Sequence, residues 1–222
     1  VHIIPHSHCD PGRLDTFERY YQKDVSHILS GVLSQLWADR SRRFVWAEIS
    51  FFKRWWITQN FENRERFKTL VDRGQLEFIG GGWVQNDEAN PTLESVINQV
   101  SEGHAFLLET FGVRPKIGWQ IDPFGHSAMT PTLFALLGYD AMVINRIHFD
   151  TKRRFKATRH MEFLWDGAKL SNTKDLDLRI FTHVLHTHYS APRGFDFENP
   201  GVSQVSGYNA DGRARTFAKA MA

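Results

Sequence analysis

Short apolar, β-branched runs alternate with long stretches of helical period along this chain, and no other feature limits its fold as much. The runs fall at His2–His6, Phe44–Ile49, Leu76–Ile79, Lys116–Ile121 and Ala141–Asn145, with two more at Met161–Trp165 and Ile180–Leu185. Between them the spacing predicts helices over Asp15–Ala38, Phe52–Arg73, Pro91–Phe111 and Ala128–Leu137. In the first, Phe17, Tyr21, Val25, Ile28, Leu29, Val32 and Leu36 recur at helical spacing and share one stripe. Gly74 and Gly112 stand just past the second and third helices, where a left-handed residue closes the last turn. Strand and helix alternating with few hairpin signals point to a parallel sheet, because parallel neighbours need a crossover. Strand spacing of roughly 20 to 40 residues fits the units of a barrel whose whole is about 250 residues. Neither GxGxxG nor GxxxxGK[ST] follows any run, which counts against the nucleotide-binding doubly wound sheets. The expected fold is α/β, an incomplete (β/α) barrel of parallel strands with surrounding helices.

A chain of 222 residues can bury a real core. Its 27 Lys+Arg against 25 Asp+Glu leave a net charge of +2, too little for an electrostatic footprint on nucleic acid or a membrane surface. The densest basic clusters, Arg40, Arg42, Arg43 and Lys152, Arg153, Arg154, read as solvated helix ends or loops. Cys9 is the single cysteine, so a disulfide framework within these residues is excluded. No run is apolar enough to span a bilayer. Val1 opens directly on a strand with no initiator methionine, and Gly201–Ala222 begins a helix-like run and stops. Residues 1–222 are therefore expected to form a partial domain, truncated at both ends, with any targeting segment outside them.

In parallel α/β folds the chemistry gathers at the C-terminal ends of the strands. Here five successive ends carry polar residues that packing alone does not call for: His6–Gly12, Glu48–Ser50, Gly82–Glu88, Asp122–Ser127 and Arg146–His148. With a period of two, His6, His8 and Asp10 point to one side, and Ser7 and Cys9 to the other. Imidazole and carboxylate so placed can share a divalent ion. The same residues also serve as polar caps on a strand, with Asp10 closing an Asp-Pro-Gly turn. Asp122 leaves an apolar strand for a Pro/Gly turn, where it can ligate that metal, attack a substrate carbon or cap the next helix, a task for which Ser127 competes. Arg146 is a carboxylate clamp or an exposed cation. His183, His186 and His188 read as the scattered histidines of a strand and the loop after it, Cys9 as a small packed residue, and Trp83, after three glycines, as the tryptophan that faces a pocket.

The motifs HSHCDPG, FVWAEIS, GQLEFIGGGWVQNDEAN, IGWQIDPFGHS and MVINRIHF, in this order, resemble the N-terminal catalytic region of the α-mannosidases of glycoside hydrolase family 38, of the Golgi α-mannosidase II type. The resemblance runs from His2 to about Pro192. It implies a seven-stranded α/β barrel and a bound Zn2+. His8 and Asp10 match the first pair of zinc ligands, and Asp122 matches the carboxylate that ligates zinc and acts as nucleophile. Arg146 matches an arginine beside that nucleophile, and Tyr189, more loosely, a tyrosine of the sugar pocket. The implied reaction removes terminal α-linked mannose from N-glycan-type oligosaccharides with retention, through a covalent mannosyl-enzyme, one carboxylate attacking and a second serving as acid and then base. The implied partners are mannose-containing glycans or glycoproteins, not nucleic acid. The implied setting is the secretory pathway, Golgi or alternatively lysosome, with any membrane anchor outside these residues.

Three departures stand against the pattern. Arg13 occupies the place of the family tryptophan that shapes the sugar surface, and a flexible cation is no stacking plane. Cys9 stands where the family carries Asn or Asp. The fourth ligand, a histidine, and the acid/base carboxylate belong beyond the equivalent of Ala222, so the isolated chain is expected to be inactive. Two competing readings follow: a degenerate, non-catalytic relative that binds such glycans, and a metal-dependent amidohydrolase barrel, which needs further ligands where this chain has Asp122.

Overall fold

The computed structural model describes residues 2–167, 177–191, 195 and 210–220. α1 (Phe17–Tyr20) passes through a π-helical turn (Tyr21–Val25) into α2 (Ser26–Ala38), and Thr16 caps the start by accepting from the Arg19 amide. β1 (Phe44–Trp46) leads to α3 (Ile49–Trp56) and α4 (Phe61–Asp72), and β2 (Leu76–Phe78) to α5 (Leu93–Phe111). β3 (Ile117–Gln120), α6 (Met129–Leu136), β4 (Ala141–Ile144) and α7 (Phe149–Thr158) follow. β5 (Glu162–Trp165), β6 (Ile180–Val184) and α8 (Ala210–Ala220) complete the described elements. Among the described residues no helix is long and apolar enough to cross a membrane.

β1 and β2 pair in parallel, and so do β3 with β4 and β4 with β6. A bond from the Gly80 amide to the Ile117 carbonyl (2.7 Å) joins the two ladders. His6 makes a single parallel bridge to Val45 instead of the expected strand, and Pro5, lacking an N–H, gives only its carbonyl to the Val45 amide. Residues on one face from β1 to β6, namely Val45, Ile79, Ile117, Trp119, Val143 and Leu185, meet in one cluster, so this face is concave. The described strands do not close a barrel.

The structure corrects further expectations. β5 runs antiparallel to β6 at the sheet edge, where such a strand is tolerated, so the strands are not all parallel. The helix expected over Phe52–Arg73 is two helices. Thr58 and Gln59 bond back to the Trp55 carbonyl, and Asn60, in extended conformation, caps a new start on the Asn63 amide. α7 was not expected at all: none of its residues is buried, so no apolar period announced it. The helix-like run read at Gly201–Ala222 is α8 over its described part, while 201–209 lie outside the described residues.

The convex side of β1 and β2 is sealed by an aromatic core in which Trp46, Phe51, Phe52, Trp55 and Phe67 are almost fully buried. Each contributes about 2–3 kcal/mol of apolar transfer. Behind β3, β4 and β6 a second core gathers Phe134, Tyr139, Met142, Ile144 and Val184. α5 sits flush on the glycine loop after β2. A Cβ on Gly103 would meet the Gly81 carbonyl at 2.1 Å, and Gly81 itself adopts φ +71°. That contact fixes the loop carrying Gln85, Asn86 and Glu88 beneath the concave end of the sheet.

Candidate metal centre and active site

Ile121, fully buried in the concave core, holds the end of β3, so the next residue, Asp122, emerges at the mouth. Arg146 emerges likewise two residues after β4, and Tyr189 lies in the loop after β6. The extended segment after the His6 bridge brings in His8 and Asp10. The curl of the sheet makes its distant parts neighbours: the His6 imidazole Nε2 lies 2.9 Å from the Tyr189 carbonyl.

His8 Nε2 lies 2.9 Å from Asp10 Oδ1 and 3.3 Å from Asp122 Oδ2. It is buried and has no hydrogen-bond partner. One donor atom from each of His8, Asp10 and Asp122 lies within 4.8 Å of the others. A buried imidazole nitrogen without a hydrogen bond, facing two carboxylate oxygens, fits a divalent ion with nitrogen and oxygen ligands at about 2.0–2.2 Å. Among the described residues no second group of this kind occurs. Cys9 is no ligand: it packs against the aromatic core, and burial pushes its thiol pKa up.

The other oxygen of Asp122 is spoken for. Oδ1 accepts from Tyr189 Oη (2.8 Å) and from Arg146 Nε (3.0 Å) and Nη2 (2.6 Å). Burial alone would raise this carboxyl, but the Tyr189 and Arg146 hydrogen bonds outweigh it and hold it below the ordinary aspartate range. Asp122 is therefore an ionised carboxylate with one oxygen fixed by donors and the other free of them. It does not cap α6, since Ser127 Oγ accepts from the Met129 amide instead. The Arg146 guanidinium also lies 5.9 Å from the ring centre of Phe124, which is 82% exposed at the mouth.

Behind His8 lies a layer to which the sequence reading assigned no role. Gln85 Nε2 is 3.1 Å from His8 Nδ1 and also reaches Glu48 Oε1, which accepts from the Cys9 amide at 3.2 Å. Glu48 has no exposed surface, and burial raises its carboxyl. Its one signal was a carboxylate at the end of an apolar run. Below Asp122, Glu88 takes Gln120 Nε2 (3.0 Å) and His126 Nδ1 (2.9 Å) on Oε1, and the Ser127 amide and Thr130 Oγ1 (both 2.7 Å) on Oε2.

His8, Asp10, Asp122, Arg146 and Tyr189 thus form one connected set. Arg13 stands at its edge, its side chain 69% exposed, with Nη1 3.5 Å from Asp10 Oδ2. Trp83 does not line this pocket; it packs on the aromatic core with the Lys53 ammonium 5.1 Å over its ring.

Alpha-mannosidase C of Dictyostelium discoideum is 44% identical over 97% of this chain and 21% of its own length. Alpha-mannosidase 2x of Mus musculus is 42% identical over 83% of this chain and 16% of its own. The chain thus spans about a fifth of the curated relatives it matches. The crystal structure of an alpha-mannosidase from Enterococcus faecalis V583 superposes with a TM-score of 0.70 at 18% identity, covering 98% of this chain and 22% of that one, a likeness of fold. The family model described as the glycosyl hydrolases family 38 N-terminal domain matches residues 1–222, and the chain belongs to that family.

Proposed function

We propose that the protein containing this chain is a zinc-dependent, retaining α-mannosidase that removes terminal α-linked mannose from N-glycan-type oligosaccharides. The observation that carries the reading is the division of Asp122: Oδ1 holds three donor contacts, while Oδ2 faces the unpartnered His8 nitrogen.

In this reading His8, Asp10 and Asp122 hold zinc, whose chemistry when bound is Lewis-acid attraction of two adjacent sugar hydroxyls. Asp122 attacks the anomeric carbon, and the C–O bond to the leaving sugar breaks as the covalent mannosyl-enzyme forms. Arg146 and Tyr189 keep Asp122 ionised, fix its plane and stabilise it again as a leaving group when water cleaves the intermediate. Two inversions at one carbon give retention. The acid/base carboxylate and a fourth ligand belong, by the family pattern, to sequence beyond residue 222, so residues 1–222 alone are expected to be inactive. They form part of a catalytic domain whose strands complete a seven-stranded barrel. The glycan substrate places the enzyme in the secretory pathway, in the Golgi, with the lysosome as the other setting.

Arg13 supports a second reading, a degenerate relative in which the guanidinium takes the place of metal on Asp10. The magnitude decides against it. An exposed pair at 3.5 Å is worth about 0–1 kcal/mol, which a ligand set for zinc outweighs. The test is turnover of an aryl α-mannoside by the zinc-loaded full-length protein, with the product anomer followed by NMR. Release of α-mannose supports the reading. A β-product sinks retention, and a zinc-loaded protein without turnover sinks the activity.

A further inference from the structure

The segments that carry Arg146 and Tyr189 leave the sheet before they reach those residues. A bond from the Leu185 amide to the Ile144 carbonyl (2.9 Å) extends the β4–β6 ladder past the end of β6. Beyond it, among the described residues, no backbone bond joins Asn145–Arg146 to Thr187–Tyr189. Lys152, on α7, spans the gap. Its ammonium donates to the Asn145 carbonyl (2.9 Å), to Asn145 Oδ1 (3.0 Å) and to the Thr187 carbonyl (3.0 Å). An ammonium has three N–H groups, so all of them are used. Asn145 is 1% exposed, so its side-chain oxygen has little access to water as a substitute donor.

This is not the solvated cation that the Lys152, Arg153, Arg154 cluster suggested. Burial, with Lys156 nearby, lowers the Lys152 pKa to about 8. A half-buried charge with no carboxylate among its bonds is costly, and a lysine left in solvent would not carry that cost.

We propose that Lys152 is a positioning residue that braces Arg146 and Tyr189 against Asp122. Asn145 is the neighbour of Arg146, and Thr187 lies two residues before Tyr189. Both Arg146 and Tyr189 donate to the same oxygen, Asp122 Oδ1, and to reach it they must stand at a fixed separation; Arg146 Nη2 lies 3.4 Å from Tyr189 Oη. Slack between the two loops lets the carboxylate turn, which moves Oδ2, the oxygen left for the metal. The inference rests on the metal-assisted reading above.

The experiment is chelator competition for zinc on the full-length protein, with K152M, K152R, Y189F and the K152M/Y189F double variant. K152M and Y189F are each expected to weaken zinc binding about tenfold, the usual scale for a partner of a metal ligand. The double variant is expected to fall well short of the hundredfold that independent losses would give, because the Tyr189 bond is part of what Lys152 braces. K152R, which keeps the charge and several donors, is expected to stay within about threefold of wild type. A hundredfold loss in the double variant, or wild-type affinity in K152M, overturns the proposal. Should K152M fail to fold, Lys152→Gln, which keeps two donors, carries the same cycle. Turnover of an aryl α-mannoside, read on the same samples, separates the two levels. A wild type that holds zinc without hydrolysis removes the mannosidase reading and leaves the brace standing, whereas one that holds no zinc overturns both.

Discussion

Glu88 and Asp122 come from different strand ends but serve the same loop, which Asp122 begins and Glu88 anchors, and they differ in how their oxygens are used. The Glu88 side chain is 3% exposed, and each of its oxygens has two donors. The Asp122 side chain is 21% exposed, with every donor hydrogen bond among the described residues on Oδ1, while Oδ2 faces the His8 nitrogen. Burial raises either carboxyl, and hydrogen bonds bring both back below their ordinary values. The protonation state is therefore the same, and what separates them is vacancy. A carboxylate whose lone pairs are all engaged holds loops together, and one with a free oxygen facing a second ligand can bind metal or attack carbon.

Two substitutions break the comparison in opposite directions. Asp122→Asn keeps the shape and the Oδ1 hydrogen bonds but removes the charge proposed to attack carbon and to hold the metal. In the full-length protein the proposed kcat for an aryl α-mannoside is expected to fall on the order of 10⁴-fold, the scale seen when a reacting group is lost. Denaturant midpoints should move little. Glu88→Gln should do the reverse by turning an amide toward groups that all donate. The expected loss is about 3 kcal/mol in denaturant unfolding, the scale for breaking a buried charged network, with zinc affinity largely kept in the folded fraction. The pH dependence follows the same sign. The Glu88 carboxyl is depressed in the folded protein, so its contribution is present above the ordinary glutamate value of 4.5 and lost as pH falls through the lower folded value. Wild type should lose stability more steeply than Glu88→Gln below about pH 4.5, and parallel curves would show that Glu88 bears no such load.

Local pattern reached Asp122 and not the Glu88 network, for a physical reason. A polar residue at the end of an apolar strand is visible within ten residues, so His8, Asp10, Asp122 and Arg146 all stood out. Glu88 lies in such a strand end too, but its partners Gln120, His126, Ser127 and Thr130 are 32 to 42 residues further on, and no spacing encodes that meeting. Tyr189 came from family likeness alone, since its loop has no periodic signal. The strand–helix alternation was readable because buried stripes impose it. α7, with no buried residue, and the reversal of β5 were not, since both depend on how the edge of the sheet is covered. Lys152 was misread for the same reason: its acceptors are the Asn145 backbone and side chain and the Thr187 carbonyl, brought together by the fold.

Smaller effects sharpen the contrast on the His8 side. A metal bound at Nε2 needs that nitrogen's lone pair, so Nδ1 carries the proton and requires an acceptor. Gln85 is the side chain beside Nδ1, and its Oε1 is buried with no hydrogen-bond partner. Half a turn of the amide presents that oxygen to Nδ1–H and also to Glu48 Oε1, so it requires the proton on Glu48 that burial favours. Gln85→Leu is therefore expected to weaken zinc binding about tenfold in a chelator competition, with unfolding stability changed less than by Glu88→Gln. Unchanged affinity would mean that another group sets the His8 tautomer.

The smallest expected effect is at Arg13, and its size bears on function. Its guanidinium touches Asp10 at 3.5 Å from a side chain that is 69% exposed, whereas His126 meets Glu88 at 2.9 Å with both side chains under 5% exposed. Exposed pairs are worth about 0–1 kcal/mol and are screened by salt. Arg13→Met should therefore tighten zinc binding by no more than about threefold at low ionic strength, and the gain should vanish near 1 M salt. Arg13→Trp should show the same metal effect and, in addition, lower KM for the aryl mannoside by the roughly 1 kcal/mol that an aromatic face adds. A gain in zinc affinity of thirtyfold or more on removing the guanidinium would make Arg13 a true competitor for Asp10. The non-catalytic reading would then displace the one proposed here.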